Sequence, residues 1–308
     1  MNVFSSPQYL RALDATCFEG TGAIEVVAAG EHSVQTLVTR AGPCVRHQFI
    51  DFFEPALGER AQRTVSSIPR FSSRSVVASE WASARGEHTE PSPFVDWRKF
   101  GAWSEFEAHV GRQRAKLLAD GRRQTRRLEK ELGPVRLDVD HDPAVFDQCI
   151  AWKSAQYLRT GAWDLFADER HVALLRRLVA DGIATTESLW AGETLVAAHI
   201  GMLHEGRYSW WFPAYDPEHD RFSPGRLLLV ALLQSSFERG DDEFDLLLGD
   251  EEYKWHFATD VRLVDSVGSP SLSQRVQRLS KRAAHRFPRA GIEAKKIRGR
   301  IRARRTAR

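Results

Sequence analysis

Residues 183–215 read IATTESLWAGETLVAAHIGMLHEGRYSWWFPAY, and their reading decides the fold. Three runs, Ile183–Trp190, Thr194–Leu203 and Arg207–Ala214, are separated by the short turns Ala191-Gly192-Glu193 and His204-Glu205-Gly206. Connections that short join antiparallel neighbours, so the stretch is predicted to be a three-stranded meander. Downstream, Ser223-Pro224 opens a helical pattern that runs to Glu238 and stops at Gly240. An apolar strand, Glu243–Leu248, follows, so the helix is a crossover into a parallel neighbour of the meander. A short helix around Asp250–Phe257 and a strand near Val261–Val267 complete this half. Upstream lie a strand at 135–139 and helices over Asp142–Tyr157 and Asp168–Asp181, the second ended by Gly182, which suits a left-handed cap. The expected class is α/β, with a mixed sheet.

The first half reads as mixed α/β too. Ser6-Pro7 starts a helix to about Ala15, and Ala23–Ala29 with Ser33–Thr39 form a hairpin around Gly30-Glu31-His32. Cys44–Asp51 and Arg74–Ser79 are strand candidates, and Pro55–Gln62 is a helix candidate. Residues 85–96, RGEHTEPSPFVD, hold two prolines and little periodicity and read as a loop or linker. Trp103 to Leu132 reads as helix up to Gly133-Pro134, with Gly111 and Gly121 as candidate breaks. Its segment 109–131 carries eight Lys or Arg against three acids, a solvated face first and a phosphate-binding face second. The expected domains are an N-terminal lobe over 1–96, a basic connecting helix over 97–134, a C-terminal domain over 135–270 and a basic tail over 271–308.

With 308 residues, 42% hydrophobic and 10% aromatic, the chain has the core of roughly two globular domains, which excludes disorder throughout. No run approaches the about 18 apolar residues of a membrane span. The opening MNVFSSPQYL lacks a basic stretch followed by an apolar one, so no secretory signal is expected. Cys17, Cys44 and Cys149 are odd in number and far apart, and give neither a disulfide framework nor a zinc set. A cytoplasmic protein is the expectation. The net charge of +3 hides two opposed parts. Residues 275–308 hold 14 Lys or Arg and one acid, Glu293, a charge of +13; residues 1–274 hold 30 basic and 40 acidic residues, a charge of −10. In the tail, Val276, Leu279 and Ala283 share a helical face amid basic residues, which fits a solvated extension or attachment to an anionic inner-membrane surface.

Three places can carry chemistry. At RFSPGRLLL (221–229), Ser223 can cap a helix whose positive end favours an anion. Gly225 admits close approach to the backbone there, and Arg221 and Arg226 add charge. At DLLLGDEEYKWHF (245–257), a buried strand ends and Asp250, Tyr253 and Lys254 follow within little more than a turn, beyond the carboxyl end of a parallel strand, where ligands bind such sheets. Glu251 and Glu252 read as first-turn acids that stabilise the helix. On the meander, His199 shares a face with the small Ala197 and Gly201, and a lone strand histidine is more often a hydrogen-bonded core residue than a catalyst. Trp210 and Trp211 face opposite ways, one to the core and one to a groove, and Pro213 suggests a splayed edge. No H-E-x-x-H, G-x-S-x-G, Walker or G-x-G-x-x-G pattern occurs, and the histidines do not cluster with acids, so no metal is expected.

The run VAAHIGMLHEGRYSWWFPAYDPEHDRFSPGRLLL (196–229), followed by FDLLLGDEEYKWHF (244–257), resembles the CelD-type acyltransferases of the GNAT (Gcn5-related N-acetyltransferase) superfamily. Those proteins are associated with cellulose and exopolysaccharide production and are related to FemAB-type tandem-GNAT proteins. Its H-x-G, W-W-F-P-A-Y-D, S-P-G and G-D-E-x-Y-K motifs stand in the family's order. The resemblance covers roughly 97–260, and residues 1–96 match a degenerate GNAT-like lobe only loosely. It implies acyl transfer from acyl-CoA, most simply acetyl-CoA, to an amine or hydroxyl of a sugar or cell-envelope precursor. It also implies a donor lying between the splayed strands 207–214 and 243–248, with its pyrophosphate on the helix start at Ser223–Leu227. The superfamily's usual phosphate loop is absent, which keeps open a FemAB-like aminoacyl transfer from aminoacyl-tRNA; a non-catalytic scaffold in a polysaccharide-synthesis complex is the other alternative. Beyond that tRNA, the acidic body argues against a nucleic-acid partner. On this reading His199 or Asp250 takes the acceptor's proton, Tyr253 protonates the leaving group and Lys254 orients a phosphate or the acyl carbonyl. Arg221, Ser223, Gly225 and Arg226 hold the donor, Trp211 and Tyr215 stack on the acceptor, and backbone amides of the splayed strand stabilise the oxyanion.

Overall fold

The computed structural model describes residues 3–29, 32–39, 45–47, 75–79, 90–140, 142–248 and 251–264. The predicted meander is present as β7 (Ala184–Ala191), β8 (Thr194–His204) and β9 (Arg207–Tyr215), all antiparallel. Gly192 and Gly206, at φ +56° and +74°, occupy the tight turns in the left-handed region that glycine enters without steric cost. β6 (Val135–Asp140) pairs antiparallel with β7, and β10 (Glu243–Asp245) pairs parallel with β9, as a helical crossover requires. With β5 (Glu90–Asp96) and β11 (Asp260–Val264), the seven-stranded mixed sheet has the order β11-β5-β10-β9-β8-β7-β6. A second sheet of β1 (Ala23–Ala29), β2 (His32–Thr39), β3 (Val45–His47) and β4 (Ser75–Ser79) has the order β1-β2-β4-β3.

Seven helices stand among the described residues: α1 (Pro7–Cys17), α2 (Trp103–Gln113), α3 (Leu117–Leu132), α4 (Pro143–Thr160), α5 (Glu169–Ala180), α6 (Pro224–Arg239) and α7 (Glu252–Trp255). Side-chain caps start three of them. Ser6, Asp142 and Asp168 accept from the amides of Tyr9, Ala144 and Arg170. Two apolar clusters sandwich the large sheet. On one side Leu10, Leu13, Phe146, Leu174 and Leu178 of α1, α4 and α5 pack on Ile200 and Phe212; on the other Phe106, Leu128, Leu228 and Leu232 pack on Trp210 and Phe244. Each fully buried Leu or Phe of this kind stabilises the fold by about 1.5–3 kcal/mol. No helix among the described residues is long and apolar enough to cross a membrane.

Three expectations are corrected. Residues 90–96 are a strand inside the sheet, antiparallel to both β10 and β11, where 85–96 read as a loop or linker. The prolines are tolerated because Phe94 is the last β5 residue opposite β10, so on that edge Pro93 and Pro91 lie beyond the short strand's end, where no ladder needs an N–H. The helix over 103–132 is two helices, broken at 114–116 and not at Gly111 or Gly121; Arg114 is extended there, which carries its guanidinium to His256 Nε2 at 2.9 Å. The apolar run 243–248 is a strand only as far as Asp245. The helix candidate at 55–62, Asp250 and the tail at 275–308 lie outside the described residues.

Candidate functional site

The site begins with an irregularity in β9. Met202 pairs with Ser209 and Ile200 with Phe212, so Trp210 and Trp211 together face Gly201, a β-bulge. A Cβ on Gly201 would stand 2.5 Å from His199 Cε1 and 2.8 Å from Tyr208 Oη, so only glycine fits. Past the bulge the sheet opens. β10 pairs only with Arg207–Ser209, and from Trp210 to Tyr215 no described strand covers that edge of β9. The chain after β10 is pulled aside by its own polar groups. Asp245 Oδ1 accepts from Leu247 N at 2.8 Å and from Ser92 Oγ at 3.2 Å, while Leu246 N donates to the Pro93 carbonyl at 3.0 Å. Leu247 is left-handed at φ +57°, at a cost of about 1–2 kcal/mol. Lys254, buried, holds the turn by donating to the carbonyls of Leu247 and Leu248 at 3.2 and 2.7 Å and pairing with Glu251 at 3.0 Å.

A cleft of about 630 Å³ occupies this opening, with walls from α4, β9, the start of α6 and residues 251–257. On one wall Tyr253 Oη accepts from Trp210 Nε1 at 3.2 Å, and its own proton has no acceptor among the described residues. Burial of the hydroxyl pushes Tyr253 up to about 12, and the phenol is neutral across the physiological range. On another wall Lys153 Nζ donates to the Pro213 carbonyl at 3.0 Å and stands 5.5 Å from the Tyr157 ring centre. It forms no ion pair with a described residue, and burial pulls it down to about 8. At the start of α6, Arg226 also forms no ion pair among the described residues, and its buried Nε has no hydrogen-bond partner among them. Ser223 is left-handed at φ +55°, its side chain makes no cap, and the residue lines the cleft.

The cleft brings together Tyr253, Ser223, Gly225, Arg226 and Tyr215. It does not include His199, Trp211, Lys254 or Arg221. His199 is fully enclosed: its Nε2 accepts from Trp211 N–H at 2.9 Å, which puts the ring proton on Nδ1, 3.0 Å from Glu187 Oε2 and 3.1 Å from Tyr208 Oη. Burial lowers its pKa and Glu187 opposes that only in part, so it stands as a neutral core histidine. Trp211, expected to stack on the acceptor, packs instead on Phe4 and Tyr9, and Trp210 is the tryptophan that lines the cleft. Arg221 is bound to Glu131 of α3, and Lys254 is the strut described above.

The amides at the α6 start are fewer than the sequence suggests. Ser223 N donates to Asp220 O, Arg226 N and Leu227 N to Ser223 O, and Pro224 has none, which leaves Gly225 N–H. The space over Gly225 is filled by Tyr215, whose Cδ1 would be 3.1 Å from a Cβ there. Sequence reasoning missed Lys153, Trp210, Arg114 and His256. Only an unpaired lysine amid the apolar face of a predicted helix could have signalled the first. Among the described residues no group of three or more His, Cys, Asp or Glu could hold a metal ion.

No curated protein matches the sequence. In overall fold the chain is similar to the crystal structure of FemX, with a TM-score of 0.52 at 10% identity over 90% of this chain and 94% of that one. It is also similar to L-PGS from Bacillus licheniformis, with a TM-score of 0.45 at 13% identity over 97% and 98% of the two chains. Residues 115–255, which hold all of the cleft but Arg114 and the two residues after Trp255, match the family described as acetyltransferase (GNAT) domain.

Proposed function

We propose that the cleft catalyses acyl transfer from an activated, anionic donor to an amine or hydroxyl acceptor of the sugar or cell-envelope class. One observation carries this: a neutral phenol, Tyr253, is fixed by Trp210 at the open edge of β9, with its proton uncommitted. There it can protonate a leaving thiolate or alkoxide as the tetrahedral intermediate collapses, a contribution worth about 10²–10⁴-fold. Arg226, the Ser223 hydroxyl and Gly225 N–H would hold the donor's phosphate. Tyr215, which also lines the cleft, would meet the acceptor. The resemblance to CelD-type proteins supports acyl-CoA as donor and an exopolysaccharide precursor as acceptor.

A second reading, transfer from aminoacyl-tRNA, is favoured by a different observation. Most amides of the α6 start are engaged, so little remains to cradle a pyrophosphate. On α2, α3 and their junction, which supply Arg114 and Leu117 to the cleft, Arg112, Lys116, Arg126 and Lys130 are exposed and form no ion pair among the described residues, a surface suited to a polyanion. The test is to offer the full chain radiolabelled acetyl-CoA or alanyl-tRNA, with glucosamine and cello-oligosaccharides as acceptors. Label transfer from acetyl-CoA is expected. Transfer from alanyl-tRNA alone would replace the first donor by the second, and transfer from neither would overturn the enzymatic reading in favour of a scaffold.

A further inference from the structure

An acyl transferase must stabilise the oxyanion that forms when the acceptor adds to the donor carbonyl, and donors fixed in advance do this best. Backbone amides along an open strand edge are the simplest source. In β9 two of them are absent or engaged. Pro213 has no N–H, and Trp211 N–H, released from the ladder at the bulge, donates to His199 Nε2 at 2.9 Å. At the same place a side chain supplies what the backbone lacks. Lys153 reaches from α4 to the Pro213 carbonyl at 3.0 Å, which fixes one of its three N–H bonds and leaves two for the cleft.

We propose that Lys153 is a catalytic residue that stabilises the acyl-transfer oxyanion in place of the β9 amides. This rests on the acyl-transfer reading above and deepens it. The acceptor nitrogen or oxygen forms a bond to the carbonyl carbon, and the carbonyl π pair moves onto oxygen, beside the Lys153 ammonium. On collapse the C=O re-forms and the bond to the leaving sulfur or oxygen breaks. Tyr253 protonates the leaving atom, the acceptor's proton passes to solvent, and solvent reprotonates Tyr253. Pro213 does two things here: it removes a donor and its carbonyl aims the replacement.

The role needs the charged form of Lys153. The groups around it are Cys149 and Tyr157 on α4, His199 on β8, and Glu251, Tyr253, Lys254 and His256 after β10. Arg114, Asp220, Arg226 and Glu252 are the other charged side chains that line the cleft. Burial is the largest influence and brings Lys153 to about 8; Cys149 and Tyr253, both pushed up to about 12, keep their protons through that range. With a hydroxyl acceptor, whose own protonation does not change over this range, the rate is therefore expected to be constant below pH 8 and to fall as pH rises through it.

The experiment is turnover of the full chain from pH 6 to 10, with radiolabelled acetyl-CoA and alanyl-tRNA in turn, for the unaltered protein, Lys153→Met and Lys153→Arg. Lys153→Met is expected to lose about 100- to 1,000-fold in kcat with donor binding unchanged. Lys153→Arg, always charged, is expected to recover part of the rate and to lose the fall above pH 8. Full activity in Lys153→Met, or a fall above pH 8 that persists in Lys153→Arg, overturns the assignment alone. No transfer by the unaltered protein from either donor overturns the acyl-transfer reading, and this assignment with it.

Discussion

Two side chains whose partners are neighbours in β9, Tyr253 on Trp210 and His199 on Trp211, divide the chemistry from the scaffolding. Tyr253→Phe removes only the donatable proton; it is expected to keep donor binding and lose about 10²–10⁴-fold in kcat, read by calorimetric titration beside steady-state turnover. His199 gives a stability test. Its folded-state pKa lies below its unfolded value because it is buried, so below about pH 6.5 the unfolded chain binds a proton that the folded chain refuses. Stability is thus expected to fall as pH drops from 7 to 5, and His199→Gln, which keeps an acceptor near Trp211 N–H, is expected to flatten that slope in urea titrations. Glu187 with its neighbouring Thr185 hydroxyl explains why the imidazole was legible as a feature yet not as a role: spacing shows which face of a strand a histidine occupies, and not what stands opposite it. The same holds for the tryptophan pair. Alternation places Trp210 and Trp211 on opposite faces, but which face is the groove depends on α1, whose Tyr9 packs on Trp211 from some 200 residues away.

At the scale of elements, the turn between β10 and α7 is where the cleft is made. Lys254→Met is expected to leave the carbonyls of Leu247 and Leu248 without their donor and to destabilise the fold by about 1–3 kcal/mol. Hydrogen exchange checks this locally, with the amides of Leu246 and Leu247 losing protection ahead of those in β8. Gly201→Ala is expected to cost a similar about 1–3 kcal/mol, because the added methyl meets His199 and Tyr208 in a packed core, and the urea midpoint reads it. The meander, its turns and the α6 crossover were legible because period-two patterns and glycine turns are local signals. The end of β10 was not. Leu246-Leu247-Leu248 reads as apolar strand, and what stops it is an aspartate turn, a proline carbonyl and a lysine, the last two supplied by segments outside the run.

For the whole molecule, charge is the feature that composition shows most plainly. Removing residues 275–308 takes away +13 and leaves a body of −10, so the truncated chain is expected to lose binding to vesicles containing anionic phospholipid while keeping acyl transfer; co-sedimentation and turnover together check it. Strand β5 shows the opposite case, a feature that no local reading could supply. Its prolines argue against a strand, and only partners far along the chain show why they are harmless: Asp96 pairs with Glu243 and Phe94 with Asp260. That pairing has a consequence in time. At about 5–20 residues per second of synthesis, β5 waits roughly 7–30 s before its first partner exists, and it cannot be completed until β11 follows. The loop closed by these contacts is long, so its formation is slow and comes late. Pro93 of β5 also anchors Leu246, at the root of the turn that carries Lys254 and Tyr253. The nascent chain therefore has its meander well before it has a cleft, and the catalytic wall is among the last parts of the molecule to be assembled.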